Sequence, residues 1–176
     1  MALTSIVGNA DLIKKVYVPK YIYPLTRIMS SLINMLISLI PLAAVAIFSG
    51  LLPNKTYFLL PFPLLCLALF CLGLGMLLAS AMVFFRDIQF LWGVLITIWT
   101  YLTPIFYPVS ALPDSVQVIV KMNPLYFYVT FLRSCVMDGL SPEPIMYVQC
   151  ALIALVMLAV GAFTFKKSQD NFVLYL

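Results

Sequence analysis

Long stretches without a charged residue constrain the fold of this chain more than any other feature. They cover residues 28–54, 56–85, 88–113 and 144–165. Each can supply the ~20 apolar residues with which an α-helix crosses the hydrocarbon core of a bilayer. Hydrophobic residues make up 64% of the 176 residues and charged residues 9%, against about 45–50% and about 25% in soluble domains. The chain is therefore predicted to be an all-α, polytopic membrane protein with four transmembrane helices.

The adjacent pair Arg86-Asp87 supplies the only charges in residues 56–113. We interpret this pair as a tight turn that faces water and joins two membrane helices. The helix after the turn is predicted from residue 88 to about residue 106, because Pro104 and Pro108 lack a backbone donor and disfavour a continued helix.

Proline and charge also set the boundaries of the other spans. The first lies within residues 28–54. The second is predicted over about 64–84, with Pro61 and Pro63 at the membrane interface. The last fills residues 144–165 and stops at Lys166-Lys167.

The segment between residues 107 and 143 is too apolar for a solvated loop and too short in its helical parts for a span. It is predicted to form two short helices, near 115–121 and 124–137, at the outer membrane face. Asn123-Pro124 fits a helix cap followed by proline at the first helical position. These helices are expected to be interfacial or re-entrant.

A ladder of small residues in the second span indicates close contact with another helix. Cys71, Gly75 and Ala79 recur every four residues, with Gly73 and Ser80 beside them. Such ladders let helix backbones approach each other in membranes. We assign no chemical role to the four cysteines, because they form no C-x-x-C spacing.

The first span carries its polar residues on one helical face, because they recur at spacings of three and four. The members of this face are Arg27, Ser30, Ser31, Asn34, Ser38 and Pro41. Two interpretations are open. The face packs against another helix, or Asn34 and Ser38 line a translocation path.

A basic segment precedes the first span. Within it, residues 9–17 are predicted to form a short helix, with Asn9 as its cap. Asp11 and the lysines Lys14 and Lys15 are placed to suit the helix dipole. The segment either rests on anionic lipid or docks a cytosolic partner.

The basic residues also predict an orientation, since cytoplasmic loops carry an excess of Lys and Arg. With four spans, one side holds Lys14, Lys15, Lys20, Arg27, Arg86, Lys166 and Lys167, and the other holds Lys55, Lys121 and Arg133. Both termini are therefore predicted to lie in the cytoplasm. Because these charges flank apolar runs rather than cover a surface, we expect no nucleic-acid partner.

The sequence offers little for covalent or proton-coupled chemistry. It contains no histidine, and no predicted span has an ionisable residue in its middle, where proton-coupled transporters place one. It contains no G-x-x-x-x-G-K-[ST] phosphate loop. A membrane enzyme is an alternative, but its candidate acids do not converge with a histidine or a D-x-D motif. We predict no catalytic, cofactor-binding or metal-binding residue, and expect a partner to supply the energy.

Four blocks of residues follow the order found in one transporter family. They are SIVGNADLIKKVYVPK (5–20), FFRDI (84–88), LTPIFYP (102–108) with Leu112-Pro113, and MNPL (122–125) with Arg133. In this order they resemble the membrane subunit of the type-2 ABC exporters, and within them the permeases for O-antigen, capsule and teichoic acid.

The resemblance implies a homodimeric permease in the bacterial inner membrane that works with two cytosolic ABC ATPase subunits and exports a lipid-linked glycan. It implies that the first block is the coupling helix, which inserts into a groove of the ATPase. The residues placed at that contact are Asn9, Asp11, Leu12, Lys14 and Lys15. The turn at Arg86-Asp87 is similar to the second cytoplasmic turn of the family.

Aromatic residues that line the channel in this family are expected to stack on sugar rings. The candidates here, by type and depth, are Trp99, Tyr101, Phe106 and Tyr107. Family members have six spans, so we expect residues 1–176 to form one permease domain that corresponds to the C-terminal two thirds of such a protein. A drug or lipid exporter of the same superfamily and a membrane scaffold or nonfunctional remnant are the alternatives.

Overall fold

The computed structural model describes residues 4–6, 21–48, 55–105, 107–169 and 172. Within these ranges the chain forms helices joined by short turns and contains no strand, so the all-α prediction is confirmed. The main α-helices are α1 (Ile22–Phe48), α2 (Pro61–Phe84), α3 (Ile88–Leu102), α4 (Asp114–Met122), α5 (Pro124–Arg133) and α6 (Pro144–Ser168). Short 3₁₀ or π turns occupy Lys55–Leu59, Val109–Ala111 and Ser134–Asp138. The helix predicted at 9–17 lies outside the described residues.

Three helical stretches among the described residues are long and apolar enough to cross a membrane. They are Ile22–Phe48, Thr56–Phe84 and Pro144–Ser168. Helix α3 is equally apolar but has 15 residues, which corresponds to about 22 Å against a hydrocarbon core of about 30 Å. That α3 crosses the membrane, which would bring the number of spans to four, therefore stays a prediction.

Proline determines where α3 ends. The helix stops at Leu102 rather than near residue 106, and the next residue, Thr103, is extended with φ −83° and ψ 123°. The following Pro104 explains this, because the proline ring disfavours a helical conformation in the residue before it. The backbone N–H of Thr103 still donates to the carbonyl of Trp99, which closes the last turn.

Among the described helices, α2 and α6 pack against each other most closely. They meet at Gly73 and Gly161, where a methyl group added to either glycine would collide with backbone atoms of the other helix. The predicted ladder is correct for Gly75 and Ala79, which are buried, but not for Cys71, which is exposed. Gly73 makes the close approach instead.

Helix α5 lies along α2 and α6. Phe131 packs on Phe62 near the start of α2 with 5.9 Å between ring centroids, and Tyr128 packs on Phe70 at 6.1 Å. These two contacts are separated by about 12 Å along α2. Helix α5 therefore begins beside the middle of α2 and ends near its first turn, which favours the re-entrant interpretation.

The short helices and the spans begin close to where the sequence indicates. Helix α4 exceeds the predicted 115–121 by one residue at each end, and α5 with its π turn covers the predicted 124–137. Pro61 and Pro63 lie in the first turn of α2, where proline fits because those N–H groups have no helical partner.

A second buried cluster closes the opposite end of the bundle. Ile6 packs there with Val83 of α2, Phe165 of α6 and Phe172. The described N-terminal residues thus lie at the same end of the bundle as the C-terminal turns of α2 and α6. The Arg86-Asp87 turn follows α2 at this end.

Candidate functional site

An asparagine between α4 and α5 is the centre of a buried hydrogen-bond network. Asn123 is 4% exposed. Its Oδ1 accepts from Nε1 of Trp99 at 2.8 Å and from the backbone N of Leu125 at 3.0 Å. Its Nδ2 donates to Oγ1 of Thr103 at 2.9 Å, and Thr103 Oγ1 donates to the carbonyl of Trp99 at 2.8 Å. One amide thereby fastens the end of α3 to the start of α5.

The local sequence explains this geometry. Asparagine is a favoured N-cap because its side chain accepts a backbone N–H of the first helical turn. Pro124 follows at the first helical position, where its missing N–H costs nothing. The network lies in an apolar segment, where buried polar groups need partners. The amide of Asn123 makes three such hydrogen bonds, two at Oδ1 and one at Nδ2.

A second link holds the other end of α5. The guanidinium of Arg133 donates to the carbonyl of Ile105 at 2.8 Å. Ile105 belongs to the turn after α3, so both ends of α5 are tied to the segment that follows Trp99. The sequence singled out Asn123 as a cap and Arg133 through the family resemblance, but it did not show that they hold the same segment.

Aromatic side chains line a cleft between α2, α3 and the start of α5. Trp92 and Trp99 meet edge to face, with 6.1 Å between ring centroids and 78° between ring planes. The cleft has a volume of about 140 Å³, and both rings contribute to its wall with Thr100 and Leu125. Trp92 was not among the predicted path residues. Its spacing of seven from Trp99, which places both on one helical face, is the signal that identifies it.

The two predicted tyrosines lie next to each other but outside this cleft. The hydroxyl of Tyr107 donates to the carbonyl of Tyr101 at 2.8 Å. Tyr101 is 75% exposed. The structure therefore brings Tyr107 to Tyr101 in the last turn of α3, which also contains Trp99. Phe106, the fourth predicted aromatic residue, lies outside the described residues.

The polar face predicted on α1 is exposed. Asn34 and Ser38 are both exposed, and the hydroxyl of Ser38 donates to the carbonyl of Asn34 at 2.8 Å. Neither residue lines the cleft at Trp92 and Trp99. The structure thus places Asn34 and Ser38 on α1, apart from the aromatic path candidates on α3 and just beyond it.

The charged turn also has an open environment. Arg86 and Asp87 are exposed, and the carbonyl of Asp87 accepts from the backbone N of Phe90 at 3.1 Å as α3 begins. The other residues predicted at the same contact, Asn9, Asp11, Leu12, Lys14 and Lys15, lie outside the described residues. Ser5 and Ile6, just before them, are buried at this end of the bundle.

Aromatic rings along α3 and just beyond it offer stacking surfaces for a ligand. The amide of Asn123 does not, because it is buried and engaged with Trp99, Leu125 and Thr103. Three of the four cysteines are buried and all four are free. Burial raises the pKa of the Cys135 thiol in the turn after α5, which keeps it protonated and unreactive at neutral pH.

Comparison of the sequence with known proteins points to one family. The family model described as "ABC-2 type transporter" matches residues 10–137. The chain is 26% identical over 171 residues to the O-antigen export system permease protein RfbA of Myxococcus xanthus, an alignment that covers 96% of this chain and 66% of that protein. It is 27% identical over 164 residues to an RfbA protein of Klebsiella pneumoniae, with coverage of 90% and 63%. Another RfbA protein from that organism is 28% identical over 141 residues, with coverage of 78% and 54%. The chain spans about two thirds or less of the length of these curated relatives.

Proposed function

The chain belongs to the ABC-2 type transporter family, and on that premise we propose that it is a permease subunit of an ATP-driven exporter of polysaccharide or lipid-linked glycan. The observation that carries the proposal is the match of residues 10–137 to the family. This range includes most of the predicted coupling segment, the charged turn, and the tryptophans of α3. The names of the relatives, which are O-antigen export permeases, support a glycan as the substrate.

A cytosolic ABC ATPase supplies the energy in this proposal. Helix α1 carries one charge, Arg27 in its second turn, α6 carries Lys166 and Lys167 in its last turn, and α2 carries none. Because these three helices contain no Asp, Glu or His, they offer no carboxylate or histidine at membrane depth to couple transport to protons. Closure of the ATPase would push on residues 9–15 and on the Arg86-Asp87 turn. The packing of Ile6 on Val83 and Phe165 supports this, because it joins the leading segment to the end of the bundle that carries the turn.

The translocation path in this proposal follows α3. Trp92, Trp99, Tyr101 and Tyr107 offer aromatic and hydroxyl groups along this helix and just beyond it, and sugar rings stack on aromatic faces. Helix α3 has no buried residue. Its surface is therefore available to the glycan and to a second copy of the permease in a homodimer. The proposed path also includes Phe106, which follows α3 in the sequence, and Asn34 and Ser38, which lie on α1 apart from the tryptophan cleft.

The chain works as one permease domain in the inner membrane, with both termini in the cytoplasm. The orientation rests on the excess of Lys and Arg on one side. It agrees with the packing of Ile6 against Phe172 at one end of the bundle.

Co-purification tests the docking contact. Charge reversal by Lys14→Glu with Lys15→Glu in the full chain should reduce the amount of tagged ABC ATPase recovered with the permease at least about tenfold, since several charge pairs are lost. The matched control is Lys166→Glu with Lys167→Glu, which makes the same charge change on the same side of the membrane and should leave recovery unchanged. Equal recovery with all three proteins would contradict the proposed contact.

A further inference from the structure

The apolar cluster at the end of the bundle joins segments that are far apart in the sequence. Its buried members, which we call the terminal cluster, are Ile6, Ala79 and Val83 of α2, Phe165 of α6, and Phe172. Tyr23, in the first turn of α1, packs against the same cluster. Ile6 precedes the predicted docking residues 9–15 and Tyr23 follows them. The described chain on both sides of these residues is therefore anchored at one place.

Phe172 is the member of the terminal cluster that comes from the C-terminal segment. Helix α6 ends at Ser168, yet the ring of Phe172 lies against that helix. It meets Phe165 edge to face, with 5.4 Å between ring centroids and 82° between ring planes. It meets Phe84 of α2 at 6.2 Å and 61°. Such aromatic pairs are favourable beyond the area that they bury, and Phe172 is fully buried.

The terminal cluster lies where the apolar helices give way to charge. Lys166-Lys167 follow Phe165 directly and are exposed, and the exposed turn Arg86-Asp87 begins two residues after Phe84. Both segments that are proposed to contact the ATPase are thus connected through the chain to this cluster. Packed side chains transmit a displacement, because protein interiors are dense and compress little.

We propose that Phe172 is a positioning residue for the ATPase contact. It holds Ile6 against the ends of α2 and α6, and so fixes the point from which the chain leads into residues 9–15. The inference rests on the proposed function, because it takes the ATPase as the partner of those residues. A segment whose ends are fixed before binding loses less conformational entropy on docking. Removing the ring of Phe172 therefore weakens docking without changing any residue predicted to touch the ATPase.

Thiol labelling tests the packing of Ile6. In the full chain with Ile6→Cys, N-ethylmaleimide should react slowly at position 6, because this side chain is buried. Adding Phe172→Ala should raise the labelling rate there at least about tenfold, since local opening becomes more frequent. Peptide mass spectrometry separates this label from labels on the natural cysteines.

Phe163→Ala is the matched control for labelling. It removes the same ring from α6, but from a position that is 71% exposed and outside the terminal cluster. The labelling rate at position 6 should stay at the level seen with Ile6→Cys alone. Equal rates with and without Phe172→Ala would overturn the proposal.

Recovery of tagged ABC ATPase with the permease tests the effect on docking. Phe172→Ala should reduce recovery at least about threefold. Phe172→Leu, which keeps an apolar side chain of similar size, should return recovery to near the wild-type level. If Lys14→Glu with Lys15→Glu reduces recovery but Phe172→Ala does not, the docking contact stands and the positioning role is wrong. If neither reduces recovery, the docking contact itself is wrong and the positioning role falls with it.

A crosslink separates loss of position from loss of folding. The double variant Ile6→Cys with Phe172→Cys lacks the ring and should recover less ATPase than the wild-type chain. Joining the two thiols with a short bismaleimide should restore recovery, because a covalent link replaces the apolar contact. Failure of the two thiols to crosslink, or a crosslinked permease that still recovers as little ATPase as the uncrosslinked one, would overturn the proposal.

Discussion

Asn123 is suited to its position because an amide is both an acceptor and a donor. Its oxygen accepts from Trp99 and Leu125, and its nitrogen donates to Thr103. An aspartate of the same size could not donate to Thr103 and would place a charge in an apolar segment, which is unfavourable. The single side chain of Asn123 therefore caps α5 and forms hydrogen bonds with the indole of Trp99 and the hydroxyl of Thr103.

Replacing this amide tests the network. Asn123→Ala leaves the Trp99 indole N–H and the Leu125 N–H without their acceptor, and should lower the free energy of unfolding by about 1–3 kcal/mol. Thermal unfolding in detergent, followed by tryptophan fluorescence, measures this. Asn34→Ala removes the same amide from the exposed face of α1 and should change stability by less than about 0.5 kcal/mol. Equal effects would show that the network does not stabilise the fold.

The roles of Trp92 and Trp99 in stability can be distinguished by replacing each of them with phenylalanine. Trp99→Phe keeps an aromatic ring but removes the donor to Asn123, and should destabilise the protein by about 1 kcal/mol. Trp92→Phe keeps the ring and breaks no hydrogen bond that the structure shows among its described residues, so its effect should be smaller. A larger loss of stability for Trp92→Phe in thermal unfolding would contradict this assignment of the indole donor.

Among the elements, the helices were predictable but their contacts were only partly so. Uncharged windows and prolines predict the ends of the short helices within one or two residues and the ends of the spans less closely. Proline and charge act locally, so they indicate a helix end only close to where they occur. The ladder in α2 was predicted with the wrong leading residue. This helix is apolar on every side, so its composition does not indicate which stripe of small residues meets α6. Only the structure shows that Gly73 is the contact residue, because it lies against the backbone of Met157 and against Gly161 on α6.

The close contact between α2 and α6 can be tested by replacing a glycine at the contact. Gly73→Ala places a methyl group against the backbone carbonyl of Met157, so the helices must separate, at a cost of about 1–3 kcal/mol. Gly93→Ala on α3 is the matched control, because a methyl group there meets no atom within 4 Å. It should be neutral or stabilising by up to about 1 kcal/mol, since alanine favours helix. Thermal unfolding and folded yield measure both, and similar losses would contradict the close packing.

At the scale of the whole molecule, composition and charge identified the membrane class, and the order of weak motifs identified the family. The sequence also predicted Trp99, Tyr101 and Tyr107 as neighbours in the chain near the end of one span. It could not show that α5 returns into the bundle to bind Trp99, because that contact depends on tertiary packing between distant residues. It also could not show that Asn34 and Ser38 lie apart from the aromatic cleft.

In the proposed function, glycan crosses the membrane only when an ABC ATPase hydrolyses ATP. The most direct measurement is the amount of glycan on the surface of cells whose export depends on this permease, with its ATPase either active or replaced by a variant that binds ATP without hydrolysing it. Surface glycan should fall to background with the inactive ATPase, while lipid-linked glycan accumulates inside the cell. Continued display of glycan at the level seen with the active ATPase would contradict this expectation.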